Sequence, residues 1–332
     1  MSGPKTTEPV LDVRNLTATF GDGELTAVND VSFTVGSGEV LGLVGESGSG
    51  KSVTLRSIIR LVPASGDVSG EVRWQGQNIL AMRDAELRGV RGGQISMIFQ
   101  EPMSALNPVL PVFTQIEENL KAHTDLDGNG RRARARELMD MVGIPDAARR
   151  LKEFPHQFSG GMRQRVMIAI ALASNPRLLL ADEPTTALDV TIQDQILKLI
   201  LDLRDELSMS VVLVTHDLGV VAATCDRMAV MYAGRIVETG TVSEVFAQPN
   251  HAYTRGLLGS VPHAGTERSR LLSIDGTPPP LDRIPPGCAF NPRCEFATDA
   301  CRATVPPLQD LSPGRSVACF NRDSVVAAGS PV

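Results

Sequence analysis

The feature that most constrains the fold of this chain is a glycine-rich stretch that follows a short apolar run. Val40–Val44 has the composition of a buried strand, and the residues from Gly45 to Ser52, GESGSGKS, match the pattern G-x-x-x-x-G-K-[ST] ahead of an apolar, helix-like segment. Glycines let such a loop point its backbone N–H groups at phosphate oxygens, and the helix N-terminus adds a positive field. We expect Lys51 to reach the β- and γ-phosphates and the Ser52 hydroxyl to bind Mg²⁺. The sequence therefore predicts an α/β protein that binds a nucleoside triphosphate.

A second apolar run ends in two adjacent carboxylates. Leu178–Ala181 has the pattern of a buried strand, and Asp182 and Glu183 follow it directly. An acidic pair at the end of a strand is commonly only solvated. Downstream of a phosphate loop, however, it supplies one acid for Mg²⁺ and a second acid beside the attacking water. We predict that Asp182 binds the metal and that Glu183 is the catalytic base.

The stretch Phe158-Ser-Gly-Gly-Met162 has two glycines where a helical pattern begins. There the Ser159 side chain and the free N–H groups could meet a γ-phosphate. The stretch resembles the signature of ABC ATPases, usually Leu-Ser-Gly-Gly-Gln, with Phe158 in place of the leucine and Met162 in place of the glutamine. The Ser-Gly-Gly core and the following Gln-Arg remain, and on these motifs the chain is identified as a member of the ABC ATPases.

The resemblance implies roles for further residues. Phe20 matches the aromatic residue that stacks on adenine, Gln100 the glutamine between the helical insert and Mg²⁺, and His216 the switch histidine. Ala187-Leu-Asp189 looks like the D-loop, whose aspartate communicates between two ATP sites. The nucleotide-binding set implied in this way is Phe20, Gly45, Glu46, Ser47, Gly48, Ser49, Gly50, Lys51, Ser52, Val53, Gln100, Ser159, Gly160, Gly161 and Asp189; the catalytic set is Glu183 and His216, and the Mg²⁺ set is Ser52, Gln100 and Asp182.

The family also implies an assembly. It places ATP between the phosphate loop of one cassette and the Ser-Gly-Gly of another, so a chain with one cassette should be inactive as a monomer. A second cassette, a paralogue or another copy of this chain, is required. The family's helical insert docks on transmembrane subunits and would transmit the opening of the sandwich on hydrolysis.

The remaining patterns predict how the chain is organised. Val10–Leu16 and Ala27–Val35 alternate as strands of an antiparallel sheet, and the helical spacing within 102–173 predicts a helical insert. We expect the P-loop NTPase fold of an ABC nucleotide-binding domain over 8–247. Beyond it, frequent prolines predict a small loop-rich C-terminal module over 248–332.

Segments outside the ATPase motifs indicate the transporter branch. Glu101–Pro108, Asn250–Leu258 and the cysteine-containing Pro285–Cys294 look like the dipeptide/oligopeptide permease branch. The resemblance implies peptide import through two permease subunits on the cytoplasmic face of the cell membrane, with a solute-binding protein acting indirectly. Relatives carry nickel, sugars or other solutes. A soluble ABC ATPase of repair or translation and an ATP-dependent small-molecule kinase remain as alternatives, although a kinase would leave the Ser-Gly-Gly stretch without a role.

Charge and hydropathy restrict the function further. The chain of 332 residues has a formal net charge of −6 and no long block of lysine and arginine, which gives a nucleic-acid partner little electrostatic support. No apolar run reaches the ~20 residues that a bilayer needs. The first ten residues are polar and contain proline, and we expect no signal peptide there. We therefore expect neither export nor membrane insertion of this chain, and a peripheral attachment to the membrane is what the resemblance implies.

Four of the five cysteines lie near the C-terminus. Five, six and seventeen residues separate Cys288, Cys294, Cys301 and Cys319 in turn, whereas structural zinc sites usually contain closer pairs. We predict a [4Fe–4S] cluster, with Zn²⁺ as the alternative, because disulfides are disfavoured in a reducing cytosol. Cys225 is predicted to be a buried apolar residue. Because the cluster follows the ATPase motifs, we expect it to support folding or docking and not to touch ATP chemistry.

Overall fold

The computed structural model describes residues 9–186, 188–260 and 274–330 of the chain. Contacts between residues divide the chain into two compact units. The first is formed by the described parts of 1–80 and 214–332, and the second by 81–213. The first unit thus combines an early and a late segment of the chain, and the second is a continuous insertion between them.

Strands form where short apolar or alternating runs lie between turn residues. Several of them are only two to six residues long. In chain order the strands are β1 (Leu11–Phe20), β2 (Leu25–Val35), β3 (Val40–Val44), β4 (Gly66–Trp74), β5 (Gln77–Asn78), β6 (Ile95–Ile98), β7 (Leu178–Asp182), β8 (Ser210–Thr215), β9 (Arg227–Tyr232), β10 (Arg235–Thr241), β11 (Gln309–Ser312) and β12 (Arg315–Val317).

Helices occupy the segments with apolar residues at intervals of three and four. The longest of them lie in the second unit. In chain order the helices are α1 (Lys51–Ile58), α2 (Asp84–Val90), α3 (Pro102–Ala105), α4 (Val112–His123), α5 (Gly128–Met141), α6 (Ala147–Arg150), α7 (Gly160–Leu172), α8 (Val190–Leu207), α9 (Leu218–Thr224), α10 (Val242–Ala247), α11 (Ala252–Gly259), α12 (Asp299–Ala303) and α13 (Arg322–Ala327).

The first unit contains an antiparallel sheet in the order β2-β1-β4-β5. Along β1, Leu11, Val13 and Leu16 are buried while Arg14 and Asn15 are exposed, and this alternation gives the sheet one apolar face. The predicted antiparallel pairing of β1 with β2 is confirmed. This sheet is the β subdomain expected from the sequence.

The first unit also contains the strand that leads to the glycine-rich loop. Strand β3 pairs in parallel with β9, and β9 pairs antiparallel with β10. On the other side of β10, strand β12 pairs antiparallel and is followed in the sheet by β11. The C-terminal segment, predicted to consist of loops, therefore also adds a hairpin to the sheet and covers the edge that β10 would otherwise expose.

An aromatic cluster joins the C-terminal segment to the end of β9. The rings of Tyr232, Tyr253 and Phe290 lie with centroids 4.6 to 5.4 Å apart, and all three side chains are buried. Aromatic contacts of this kind add roughly 0.5–1.5 kcal/mol per pair beyond the burial of their area. The C-terminal residues thus share a core with the strands around the glycine-rich loop.

The second unit is mostly helical around a short parallel pair of strands. Strand β6 pairs in parallel with β7, with Ile98 opposite Ala181. Helices α4, α5 and α7 pack on one another, as the helical spacing predicts. Buried Ile116, Leu138 and Val166 are among the side chains that form their core. The predicted α/β fold with a helical insert is confirmed.

None of the helices in the described ranges combines the length and hydropathy that crossing a bilayer requires.

Candidate ATP site

The glycine-rich loop connects β3 to α1 in the first unit, and two of its glycines are structurally required. Gly45 has φ +152°, and a Cβ there would lie 2.2 Å from the Met231 carbonyl oxygen. Gly50 has φ +101°, and its Cβ would lie 2.5 Å from the Ala27 carbonyl oxygen. Because an L side chain rarely adopts these angles and has no space here, both positions need glycine. The neighbouring backbone therefore sets the path of the loop.

The ammonium group of Lys51 is held over this loop. Its Nζ donates hydrogen bonds to the carbonyl oxygens of Gly45 (2.7 Å) and Glu46 (2.9 Å) and lies 3.4 Å from Ser49 Oγ. The lysine side chain is 4% exposed. Ser52 and Val53 follow in the first turn of α1, both half-buried. The structure thus brings together the predicted phosphate-binding residues from Gly45 to Val53.

Two C-terminal residues, not identified from the sequence, contact Glu46 in this loop. The guanidinium of Arg293 donates to both carboxylate oxygens of Glu46, at 2.7 and 3.0 Å, and the Tyr253 hydroxyl accepts from the Glu46 backbone N–H at 2.7 Å. The segment that carries the cysteines therefore reaches the glycine-rich loop through Arg293. That the cysteine cluster itself does not touch ATP chemistry stays a prediction.

Phe20 and His216 lie elsewhere in the first unit. Phe20 is the last residue of β1 and pairs with Leu25 and Gly66; its half-buried ring lies so close to Gly66 that a Cβ there would come within 2.7 Å of it. His216 directly follows β8 and is exposed. The next residue, Asp217, caps α9 by accepting hydrogen bonds from the backbone N–H groups of Gly219 and Val220. The cap fixes the backbone next to the predicted switch histidine.

In the second unit, the acidic pair ends β7 as predicted. Asp182 has no exposed surface, and Glu183 is half-buried with φ +45°, a conformation that is uncommon outside glycine and asparagine. One carboxylate oxygen of Glu183 accepts from Gln100 Nε2 at 3.1 Å and from Thr186 Oγ1 at 2.8 Å. Thr186 is a further residue that the sequence analysis did not single out. Gln100 and Glu183, predicted separately, are therefore direct partners.

The Ser-Gly-Gly stretch begins α7. Ser159 caps this helix, with its hydroxyl 3.4 Å from the Met162 backbone nitrogen, and both Ser159 and Gly160 are exposed. Phe158, which replaces the usual leucine, is 3% exposed and anchors the start of the helix in the core. Gly161 needs to be glycine, because a Cβ would lie 2.8 Å from the side chain of Ile192. The start of this helix is thus exposed at Ser159 and Gly160.

Asp189 begins the next long helix, α8. Its side chain accepts a hydrogen bond from the Ile192 backbone N–H at 3.0 Å, and the residue is exposed. This is the geometry of an ordinary helix cap. Ala187, in the predicted D-loop, lies outside the described residues.

The four C-terminal cysteines line one small cavity in the first unit, together with His251 and Asn321 among other residues. Burial raises the pKa of Cys294 to about 12 and that of Cys319 to about 11. Asn321 Nδ2 donates to Cys301 Sγ at 3.2 Å. Among the described residues, however, no group of three or more His, Cys, Asp or Glu side chains is placed so that it could hold a metal ion.

Cys225 lies apart from this cavity. It packs against the core beside Gly42, where a Cβ would come within 3.0 Å of its sulfur. Burial raises the pKa of its thiol to about 11. The residue is half-buried and not fully buried as predicted, but its packing against the core agrees with a small apolar residue.

Comparison with known proteins gives two family matches. Residues 28–186 match the ABC transporter family, and residues 237–301 match the family described as the oligopeptide/dipeptide transporter C-terminal region. A putative peptide import ATP-binding protein of Brucella abortus (strain 2308) is 51% identical over 94% of this chain and 95% of its own length. The oligopeptide transport ATP-binding protein of Salmonella typhimurium (strain LT2) is 48% identical over 96% of this chain and 95% of its own length.

Solved structures agree on the fold. A dimeric ATP-binding cassette in a post-hydrolysis state, bound to ADP and phosphate, has a TM-score of 0.62 and 34% identity, and the match covers 70% of this chain and 98% of that one. A cassette from Clostridium perfringens, part of an ABC transporter complex, has the same TM-score with 28% identity, covering 73% and 92%. With motifs, fold and relatives in agreement along almost the whole sequence, the chain belongs to the ATP-binding, ATP-hydrolysing subunits of the ABC transporter family, in the group that carries the oligopeptide/dipeptide transporter C-terminal region.

Proposed function

We propose that this ATPase drives the import of dipeptides and oligopeptides through partner permease subunits. The observation that carries the cargo assignment is the match of residues 237–301 to the oligopeptide/dipeptide transporter C-terminal region. The names of the Brucella and Salmonella relatives, which refer to peptide import and oligopeptide transport, support it. Import of nickel or another small solute, and an ABC ATPase that works outside transport, are the alternatives.

The proposed assembly contains two transmembrane permease subunits and a second ATPase subunit, which is a paralogue or another copy of this chain. A solute-binding protein acts indirectly, and no nucleic acid is involved. The protein would bind peripherally at the cytoplasmic face of the cell membrane. Met103 and Val109, which follow Gln100 in the second unit, are 60% and 75% exposed and offer apolar surface to a permease subunit.

Disrupting the gene tests the cargo. We expect uptake of a labelled tripeptide to fall to background, and to be restored by the intact gene but not by one encoding Lys51→Ala. Uptake of labelled nickel serves as the parallel measurement in the same cells. If the disruption abolishes nickel uptake and leaves peptide uptake unchanged, the cargo is nickel. If neither uptake changes, a role outside transport is favoured.

We assign roles in hydrolysis to the residues of each unit. The loop N–H groups and Lys51 bind the triphosphate, while Phe20 stacks on the adenine. Glu183 accepts a proton from the attacking water, and the amide of Gln100 orients its carboxylate. His216 acts as the switch residue beside the γ-phosphate, and Asp189 communicates with the second site.

Mg²⁺ is the metal that this donor set suits. Asp182 presents a fully buried carboxylate at a strand end, and carboxylate, hydroxyl and amide oxygens are hard ligands of the kind that Mg²⁺ prefers. We propose that Ser52, Gln100 and Asp182 hold it. When bound, Mg²⁺ neutralises the charge that develops on the phosphate oxygens.

The exposed Ser159 and Gly160 support a site completed by two cassettes. We expect the chain, when shown by light scattering to be monomeric, to hydrolyse ATP on the order of a hundredfold more slowly than the assembled transporter, the loss typical of missing preorganised donors. The measurement is the rate per chain across a dilution series. A rate per chain that does not depend on concentration or on partners would contradict the proposal.

For the cysteine cavity we propose an iron–sulfur cluster, most simply [4Fe–4S], held by Cys288, Cys294, Cys301 and Cys319, with Zn²⁺ as the alternative. Four thiols around one cavity are the donor set of such a cluster. The Asn321 amide at Cys301 Sγ is a hydrogen bond of the type that tunes cluster sulfurs. Because a cluster is wider than one ion, its thiolates do not need to converge on a single point. The cluster would cross-link the C-terminal segment, which has few buried apolar residues of its own.

Anaerobic purification tests this assignment. We expect a brown protein with four irons and four acid-labile sulfides per chain, the composition of the cluster. Cys294→Ser should bleach it and lower the melting temperature, whereas Cys225→Ala, the matched control outside the cavity, should keep colour and iron. A colourless protein that contains one zinc ion per chain would show that the site binds Zn²⁺ and not an iron–sulfur cluster.

A further inference from the structure

Glu46 is the point where the phosphate loop meets the C-terminal segment. Its carbonyl oxygen accepts from Lys51 Nζ at 2.9 Å. Its backbone N–H donates to the Tyr253 hydroxyl, and its carboxylate accepts both terminal nitrogens of Arg293. One loop residue therefore links the phosphate-binding lysine to two side chains from the distant end of the chain.

The guanidinium of Arg293 is itself held in place. Its side chain is only 5% exposed, against 27% for the Glu46 carboxylate, so the ion pair is shielded from solvent. A bidentate arginine–carboxylate pair fixes orientation as well as charge. The remaining polar contacts of the guanidinium are to the carbonyl oxygens of Ile274, Asp275 and Gly276 and to the Tyr232 hydroxyl, and the group lies 5.8 to 5.9 Å from the ring centroids of Phe290 and Tyr232.

Tyr253 is fixed from a different direction. The buried carboxylate of Glu238 accepts from the backbone N–H groups of Asn250 (2.8 Å) and His251 (2.9 Å), and His251 Nδ1 accepts from the Tyr253 backbone N–H. These contacts hold the start of α11, where Tyr253 is the second residue. Both supports of Glu46 are therefore themselves held by hydrogen bonds.

The ion pair has an electrostatic consequence for nucleotide binding. Glu46 carries a carboxylate within the loop that must accept a triphosphate, and like charges at short range repel. With Arg293 in place the carboxylate is neutralised by a bidentate ion pair. Without Arg293, the carboxylate would oppose the phosphates and compete for the lysine ammonium.

From this geometry we propose that Arg293, assisted by Tyr253, is a positioning residue for the phosphate loop, through which the C-terminal segment sets the affinity of this ATPase for ATP. The inference adds a residue to the nucleotide site and does not depend on which solute is transported. Direct measurement of nucleotide binding keeps its failure distinct from a failure of the peptide assignment.

The test is a double-mutant cycle on the full-length protein. We expect Arg293→Met and Glu46→Gln each to change the dissociation constant for MgATP, with Arg293→Met weakening binding about tenfold, which corresponds to about 1.4 kcal/mol. The double variant should bind much more tightly than the sum of the two single effects predicts, because Arg293 acts through the Glu46 carboxylate. Arg293→Lys keeps the positive charge but loses the bidentate geometry of the guanidinium. Its dissociation constant for MgATP should lie between those of the wild type and Arg293→Met.

Two further measurements separate positioning from a general effect on the fold. The KM for ATP should rise in Arg293→Met while kcat at saturating ATP stays within about twofold, the pattern of lost uniform binding. Arg302→Met, which removes an exposed arginine paired with Asp299 in the same segment, is the matched control and should leave the dissociation constant unchanged. If Arg293→Met does not fold, the Arg293→Lys and Glu46→Gln cycle is measured instead. Additive effects in the cycle, or a dissociation constant within twofold of the wild type for folded Arg293 variants, would overturn the proposal.

Discussion

Glu183→Gln should lower ATP turnover by roughly two to four orders of magnitude, the contribution typical of a general base, while ATP binding persists. The amide has the same shape as the carboxylate and keeps an oxygen that can accept from Gln100 and Thr186, so the local structure should survive. It cannot take a proton from water. The closed, ATP-bound pair of cassettes should therefore accumulate.

Steady-state phosphate release and retention of labelled ATP together check this expectation. Glu206→Gln makes the same chemical change at an exposed position of α8 and should leave both measurements at the wild-type level. If Glu183→Gln hydrolyses ATP at the wild-type rate, Glu183 is not the catalytic base.

Lys51→Ala should have the second large effect, and it should act on binding. Lys51 is the buried cation of the phosphate loop, and a hydrogen bond to a charged group contributes about 1.5–3 kcal/mol, so the dissociation constant for ATP should rise about 10- to 150-fold. Loss of the ammonium also releases the carbonyl groups of Gly45 and Glu46 that it holds. The affinity therefore falls through both lost charge and a less ordered loop.

Equilibrium titration with a fluorescent ATP analogue measures this loss. Lys198→Ala, at an exposed site on α8, is the control for removing a lysine. Unchanged affinity in the Lys51 variant, with the control also unchanged, would refute the assigned role.

The parts of the candidate site that could be predicted are those formed by residues adjacent in the sequence. The loop from Gly45 to Ser52 is recognisable because its glycines and lysine must follow one another closely between a strand and a helix. The same holds for Ser159 at the start of α7 and for the acids at the end of β7. Each of these motifs is defined by a few neighbouring residues, and each was placed on the element that the structure shows.

The contacts that were missed are those between residues far apart in the sequence. Arg293 belongs to an irregular, proline-rich segment, and nothing near it in the sequence points to Glu46. Thr186 resembles any threonine of a turn until its hydroxyl is seen on the Glu183 carboxylate. Hydrophobic periodicity also could not reveal the hairpin of β11 and β12, because its residues are mostly exposed or half-buried. Only the tertiary fold brings these side chains to their partners.

The two residues that hold Glu46, Tyr253 and Arg293, lie far behind it in the chain and are therefore synthesised much later. Tyr253 follows Glu46 by 207 positions and Arg293 by 247, so the ribosome releases the phosphate loop long before the residues that hold it. Domains fold as their segments emerge, and contacts across so long a stretch form only after both partners are available. A nascent chain would therefore reach its full affinity for ATP only after Arg293 has left the ribosome. A product that ends before Arg293 would carry an intact glycine-rich motif and yet bind ATP more weakly.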